Sequence, residues 1–255
     1  MTDYLNKGLE QYHSDYSTCS QKVRLVLAEK DISFNSHLIN FRKKEHLSDS
    51  YLALNTNGVV PTLIHNGRPV VDSSVIVEYL DEVFTEPKLS PIDPIDRAQM
   101  RAWMRFIEEV PTVAIRFPSF QKVFVQHFKN FSKEDFEKEA VARPLRTEFY
   151  RKMGQEGFSE EDYQASLDDL RRTCERIEKE IQKSPWLVGA NYTLADVVVT
   201  PTFDRMVDLG MSDIWQDLPA VNDWWQRIQA RPNFDKAYYP GSRVSERDDQ
   251  PKIAS

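Results

Sequence analysis

The chain has 255 residues, of which 40% are hydrophobic and 29% charged, with 8 Gly and 14 Pro. That apolar content offsets the ordering entropy of a core, which excludes a disordered tail, a collagen or a low-complexity scaffold. A formal net charge of −7 argues against a nucleic-acid partner, and two cysteines, Cys19 and Cys174, make neither a disulfide framework nor a four-ligand zinc site. The start, Met1 to Asn6, has no basic stretch followed by an apolar run, and no apolar segment approaches membrane-span length. A globular, cytoplasmic protein with no metal and no membrane partner is expected, with a length that suits two modest domains.

The segment Gly8 to His13 reads as a short strand, and Ser17 opens a helix carrying Val23, Leu25, Val26 and Leu27. Residues 32–39 alternate apolar and polar as a half-buried strand does. Two short apolar runs, 62–65 and 69–72, flank Asn66-Gly67, a strong hairpin-turn signal. Ser73-Ser74 then precedes Val75, Ile76, Tyr79, Leu80 and Val83 at helical spacing. The resulting order, β-α-β-α-β-β-α, predicts a small mixed sheet covered by helices.

Pro87, Pro91 and Pro94 break the pattern and mark a linker. Beyond it the chain reads as helices: one over 96–110, a long charged one over 161–182, and one through 197–207. That last helix is headed by Thr193-Leu194-Ala195-Asp196, a capping box with Asp in place of Glu. A final helix holds Val221, Trp224, Trp225 and Ile228, and the polar tail from Pro240 is expected to be mobile. The divisions are therefore 1–86, a linker at 87–95, a helical domain at 96–239 and a tail at 240–255.

Four ordered motifs carry a family resemblance. Residues 16–24 (YSTCSQKVR) resemble the first helix turn of serine-type cytosolic glutathione S-transferases. Residues 52–63 (LALNTNGVVPTL), 72–80 (DSSVIVEYL) and 186–196 (WLVGANYTLAD) resemble that family's later signatures. The resemblance spans roughly residues 9–235. It implies an α/β thioredoxin-like N-terminal domain plus an all-α C-terminal domain, the glutathione S-transferase fold, with glutathione as co-substrate. It also implies a dimer, of identical or related chains.

Unpaired N–H groups and partial positive charge at a helix start favour an anion. A hydroxyl at Ser17 would donate to a thiolate and lower its pKa, although the same residue serves equally as a plain N-cap. Ser20, three positions on, remains an alternative thiolate partner. The resemblance assigns Val60, before Pro61, to the peptide part of glutathione through a cis bond, and Asp72 with Ser73 to its γ-glutamyl end. Asp replaces the commoner Glu there, which shortens the reach, and a helix cap is the competing reading. His46, in the polar run Lys43-Lys44-Glu45-His46, matches a position near the glycyl carboxylate, where either it or a lysine supplies a cation. No C-x-x-C is present and the thiol register falls on Ser17, so conjugation is expected rather than disulfide exchange. Cys19 is expected to be structural or to support the residues that touch the thiolate.

The second domain resembles bacterial lignin β-aryl-ether-cleaving transferases in an aromatic-rich stretch with Phe117, Phe120, Phe124, Phe128 and Phe131. The resemblance implies cleavage of aryl ethers, with a maleylacetoacetate isomerase or general conjugating enzyme as the alternative. A non-catalytic assembly module is the alternative of another class. Phe106, Ile115, Phe117, Phe120, Tyr150, Met206 and Trp215 are candidate walls of an apolar slot, or simply core. The phenylalanine-rich stretch points to a neutral aromatic electrophile.

Overall fold

The computed structural model describes residues 8–247. Strand β1 (Leu9–His13) leads into α1 (Thr18–Glu29), then β2 (Asn35–Leu38) and the single turn α2 (Asp49–Leu52). Strands β3 (Thr62–His65) and β4 (Arg68–Val71) follow, and α3 (Ser73–Val83) closes the first unit. The sheet order is β2-β1-β3-β4, with β1 parallel to β2 and antiparallel to β3, and β4 antiparallel to β3. Asn66 and Gly67 join β3 to β4 with φ of 51° and 75°, the left-handed pair that a two-residue hairpin turn demands.

The strand expected over 32–39 narrows to β2. Ile32 is buried at the turn after Asp31, whose φ is 49°, so its apolar character serves the core rather than the pleat. β2 itself lies at the sheet edge and is mostly exposed.

The helical unit begins inside the expected linker. Asp93 caps α4 (Pro94–Glu109), its carboxylate accepting from the N–H groups of Ile95 at 2.8 Å and Asp96 at 3.1 Å. Pro94 falls in the first helical turn, where a missing N–H leaves nothing unsatisfied, so this proline starts a helix instead of breaking one. The preceding segment is tied down on both sides. Lys30 Nζ donates to the carbonyls of Phe84 (2.7 Å) and Pro87 (2.6 Å), and buried Asp81 accepts from the Leu89 N–H at 2.8 Å.

Short helices α5 (Pro111–Ala114) and α6 (Arg116–Ser119) run into a π-helical turn, Phe120–Phe124. α7 (Lys133–Val141) and α8 (Thr147–Met153) precede the long α9 (Glu160–Ile181), then α10 (Leu194–Asp208), α11 (Pro219–Gln229) and the short α12 (Phe234–Ala237). The main core is shared by both units; α10 is buried along nearly its whole length, packed against α1 and α4. A second cluster, Val125, Phe128, Phe136, Met153 and Phe158, holds α7 and α8 together. No helix among the described residues is long and apolar enough to cross a membrane.

The segment after Pro240 is packed as far as Arg247, contrary to the mobile tail expected there. Arg243 pairs with Asp204 at 2.7 Å, the Val244 N–H donates to Asp208 at 2.9 Å, and Gln21 Nε2 donates to the Ser242 carbonyl at 3.1 Å. Acids on a buried helix need donors, and this segment supplies them. Residues 1–7 and 248–255 of the expected divisions lie outside the described residues.

Thr193 and Asp196 form the expected capping box at the head of α10. The buried Asp196 carboxylate also accepts from the Leu187 N–H (3.1 Å) and the indole N–H of Trp224 (3.0 Å). Asp196→Ala would strand three buried N–H donors, of Leu187, Thr193 and the Trp224 indole, at roughly 1–3 kcal/mol each. The expected loss of stability is therefore at least about 3 kcal/mol, read as a fall in the urea midpoint.

Candidate active site

The first turn of α1 is built by its own sequence. Ser17 is extended (φ −74°, ψ 118°), and its Oγ accepts from the Ser20 N–H at 3.3 Å, the ordinary geometry of an N-cap. An oxygen used as an acceptor keeps its own proton to donate outward. Ser17 lines a cleft of about 580 Å³ between the two units, a volume suited to a small ligand. Ser20 does not reach it. Its side chain is fully buried, and its Oγ accepts from the Ser14 N–H at 3.3 Å. Of the two candidate serines, only Ser17 faces the cleft. Cys19 also lines it, half-buried, although a structural position was expected.

The loop before β3 is held by the asparagine of its own motif. Asn55 Nδ2 donates to the Val59 carbonyl (2.9 Å) and to Thr62 Oγ1 (3.1 Å), and the Tyr51 hydroxyl donates to the same carbonyl at 2.7 Å. Gly58 turns with φ of 60°, and a Cβ there would come within 3.0 Å of Leu47. Val60, followed by a cis bond to buried Pro61, lines the cleft. Because the loop is anchored through the carbonyl of Val59, the Val60 backbone takes part in none of these bonds.

Asp72 and Ser73 are not among the cleft walls. The Asp72 carboxylate accepts from the N–H groups of Ser74 (2.9 Å) and Val75 (3.1 Å), which makes it the N-cap of α3. Its φ of 74° is uncommon for a residue with a side chain. Ser74 extends the arrangement, donating to buried Glu108 at 2.6 Å, and Lys22 pairs with the same carboxylate.

His46 lies in the cleft wall, buried, edge-on to Phe41 at 4.8 Å, with Nδ1 lacking any partner among the described residues. Burial above all, then the nearby Arg143 guanidinium, lowers its pKa from 6.5 to about 4, so the imidazole is neutral. Lys44 is paired with Glu139. The cation beside His46 is Arg143, from the end of α7, itself buried and with Nε unpartnered among the described residues. Those two orphaned polar groups fit a ligand that carries an anion.

Ile115, Phe120 and Tyr150 line the cleft as expected of an apolar slot, with Phe124, Phe128 and Phe149 beside them. Four other candidate walls pack elsewhere. Phe106 lies under the Arg176 guanidinium at 3.9 Å, and Phe117 stacks on Phe158 at 4.3 Å in the second cluster. Met206 and Trp215 are buried in the main core, Trp215 against Phe203 at 5.0 Å.

The family models described as "Glutathione S-transferase, N-terminal domain" and "Glutathione S-transferase, C-terminal domain" match residues 16–83 and 142–232. The chain belongs to the glutathione S-transferase family. Glutathione S-transferase TCHQD of Arabidopsis thaliana is 25% identical over 92% of this chain and 92% of its own length. Protein LigF of Sphingobium sp. (strain NBRC 103272 / SYK-6) is 29% identical over 88% of this chain and 90% of its own. The crystal structure of beta-etherase LigF from Sphingobium sp. strain SYK-6 superposes with a TM-score of 0.79, covering 90% of this chain and 98% of that one.

The basic side of the cleft in this transferase was not foreseen from its sequence. Arg116, Arg143 and Arg146 line it together with the aromatic rings, in a chain whose net charge is −7. The phenylalanine-rich stretch therefore encloses a site that is aromatic but not neutral. The three arginines sit at no periodic spacing, so only their convergence in space reveals them. The run Arg143-Pro144-Leu145-Arg146 is the one signal the sequence offers.

Two buried histidines make the transferase acid-sensitive. His13, like His46, is lowered to about 4, chiefly by burial and then by Arg24. An unfolded chain binds protons at these sites from about pH 6.5, the folded one only near 4. Stability therefore falls as pH drops through that window, by up to about 1.4 kcal/mol per pH unit for each imidazole. Thermal midpoints between pH 7.5 and 4.5 should decline less steeply in His46→Gln than in the parent.

Proposed function

We propose that this glutathione transferase ionises the thiol of glutathione at Ser17 and delivers it to an aromatic acceptor, most specifically the β-aryl ether of a lignin-derived dimer. One observation carries the reading: the serine hydroxyl that is open at the head of α1 faces a cleft whose opposite wall is aromatic. The Ser17 O–H and the open first-turn N–H groups favour a thiolate over a thiol. The Val60 backbone borders the tripeptide, and neutral His46 with Arg143 receives its glycyl carboxylate. The family resemblance assigns the γ-glutamyl end to Asp72 and Ser73, which lie outside the described cleft walls; the uncommon φ at Asp72 supports a role beyond capping.

In the reaction the sulfur attacks the carbon that bears the aryloxy group, next to a carbonyl. The C–S bond forms as the C–O bond breaks, and the electron pair leaves with the phenolate, which takes a proton from water. Rings of Phe120, Phe149 and Tyr150 shape the slot for the two arenes. The likeness to LigF, named a beta-etherase, supports this substrate class.

Incubation with glutathione and a fluorogenic β-aryl ether should release free phenol and form the thioether. Ser17→Ala should lower kcat/KM about 10- to 100-fold, since one hydrogen bond to a charged sulfur is worth about 1.5–3 kcal/mol. Its glutathione affinity should change little, whereas Asp72→Ala should weaken that affinity. Thioether formation without phenol, from chlorodinitrobenzene, would reduce the reading to general conjugation; turnover of maleylacetoacetate alone would make it an isomerase. Failure to be retained on immobilised glutathione would favour a non-catalytic module.

We also propose a dimer. Val75 on α3 and Ile92 and Ile95 at the start of α4 are exposed, on neighbouring helices tied by Arg101 to Glu78 at 2.8 Å. Sedimentation should return twice the chain mass, falling towards one when both isoleucines become Lys.

A further inference from the structure

Two of the basic groups lining the cleft have no counter-ion among the described residues. Lys44 and Arg143 share Glu139, and Arg205 pairs with Asp208 at 3.5 Å while donating to Ser119 Oγ at 3.3 Å. Arg116, at the head of α6, and Arg146, just before α8, form no ion pair among the described residues. Glu108 acts on Arg116 electrostatically, but its carboxylate is already taken by Lys22 and Ser74.

The pair is placed at the sulfur end of the cleft. Arg116 interacts electrostatically with Cys19, two residues beyond Ser17, and with Arg146, and all three line the same cleft. Burial first, then Arg146, lowers the Arg116 pKa to about 10. Arg146 in turn adjoins Tyr150, whose ring lines the same wall. Two guanidiniums that share a partly desolvated wall repel each other, an arrangement that costs folding stability unless an anion offsets their charge. Arginine is suited to that task because its planar fork takes a carboxylate bidentately.

We propose that the aromatic acceptor of this transferase carries an anionic substituent, of the carboxylate class, which Arg116 and Arg146 bind on the wall of the cleft that also holds Cys19. The proposal rests on the cleft being the transferase site described above and narrows its substrate from neutral arenes to aromatic acids. The glycyl carboxylate of glutathione is a separate anion, received beside His46 and Arg143. The group at Arg116 and Arg146 belongs instead to the acceptor, whose ring is held by Phe120, Phe149 and Tyr150.

Product-like thioethers test this without requiring turnover. Calorimetric titration of the full chain with S-benzylglutathione and with S-(3-carboxybenzyl)- and S-(4-carboxybenzyl)glutathione compares one ring with and without its charge. At least one carboxylated thioether should bind about tenfold more tightly than the neutral one, as expected of a charge-assisted hydrogen bond. Arg146→Gln should reduce that advantage to under about threefold and Arg146→Lys should restore part of it; binding of S-benzylglutathione by each variant reports its fold. Equal or weaker binding of both carboxylated thioethers by the parent protein would overturn the proposal. So would an advantage that survives Arg146→Gln, or an equal loss for charged and neutral thioethers, which would assign the arginine to the tripeptide. Binding of the neutral thioether alone leaves the transferase reading standing, whereas binding of none removes that reading and this one with it.

Discussion

The charged side chains of α1 have no water to face, and that constraint organises the molecule. Lys22, Arg24, Glu29 and Lys30 are all buried. Lys22 is met by Glu108 of α4, Arg24 by the Ala237 carbonyl at 3.0 Å, and Glu29 by Arg231 at 2.7 Å. Lys30 meets Asp81 of α3 at 2.7 Å. An unpaired buried charge typically costs about 3–5 kcal/mol, so these partners cannot be separated cheaply. Three of the four come from the helical unit. The helix that presents Ser17 is thereby held at one position relative to the wall it faces.

That arrangement divides the site between two kinds of support. One wall of the cleft rests on main-chain features of the first unit, the N-cap at Ser17 and the loop anchored by Asn55. The facing wall rests on the second cluster, around which Phe120, Phe149 and Tyr150 come together with Arg116, Arg143 and Arg146. Since the second cluster is separate from the main core, its side chains can change without disturbing the helix that carries Ser17. A fixed helix start opposite an independently packed wall is a physical basis for varied ligands on one scaffold.

Motifs whose partners lie within a few residues of one another are legible in the sequence itself. The Ser17 cap, the Asn66-Gly67 hairpin and the box of Thr193 and Asp196 each involve bonds over two or three positions. Elements that depend on distant packing are not. Residues 32–39 shorten because Ile32 is buried at the turn after Asp31 and serves the core, and the stretch after Pro240 docks because Asp204 and Asp208 require donors from elsewhere. Phe106, Phe117, Met206 and Trp215 share the chemistry of cleft residues, and their sequence positions hold no information about which side of the wall they occupy.

Composition, short-range hydrogen bonding and ordered motifs by themselves determined the two-part architecture, the family and the local caps and turns at Ser17, Asn66-Gly67 and Thr193. Such features are encoded locally and survive whatever the rest of the chain does. Tertiary structure alone decided that Ser17 rather than Ser20 is open, that His46 is neutral, and that Arg116 and Arg146 share a wall. Each of those depends on burial or on charges brought together from distant segments, and desolvation is a property of the assembled fold, not of any stretch of sequence.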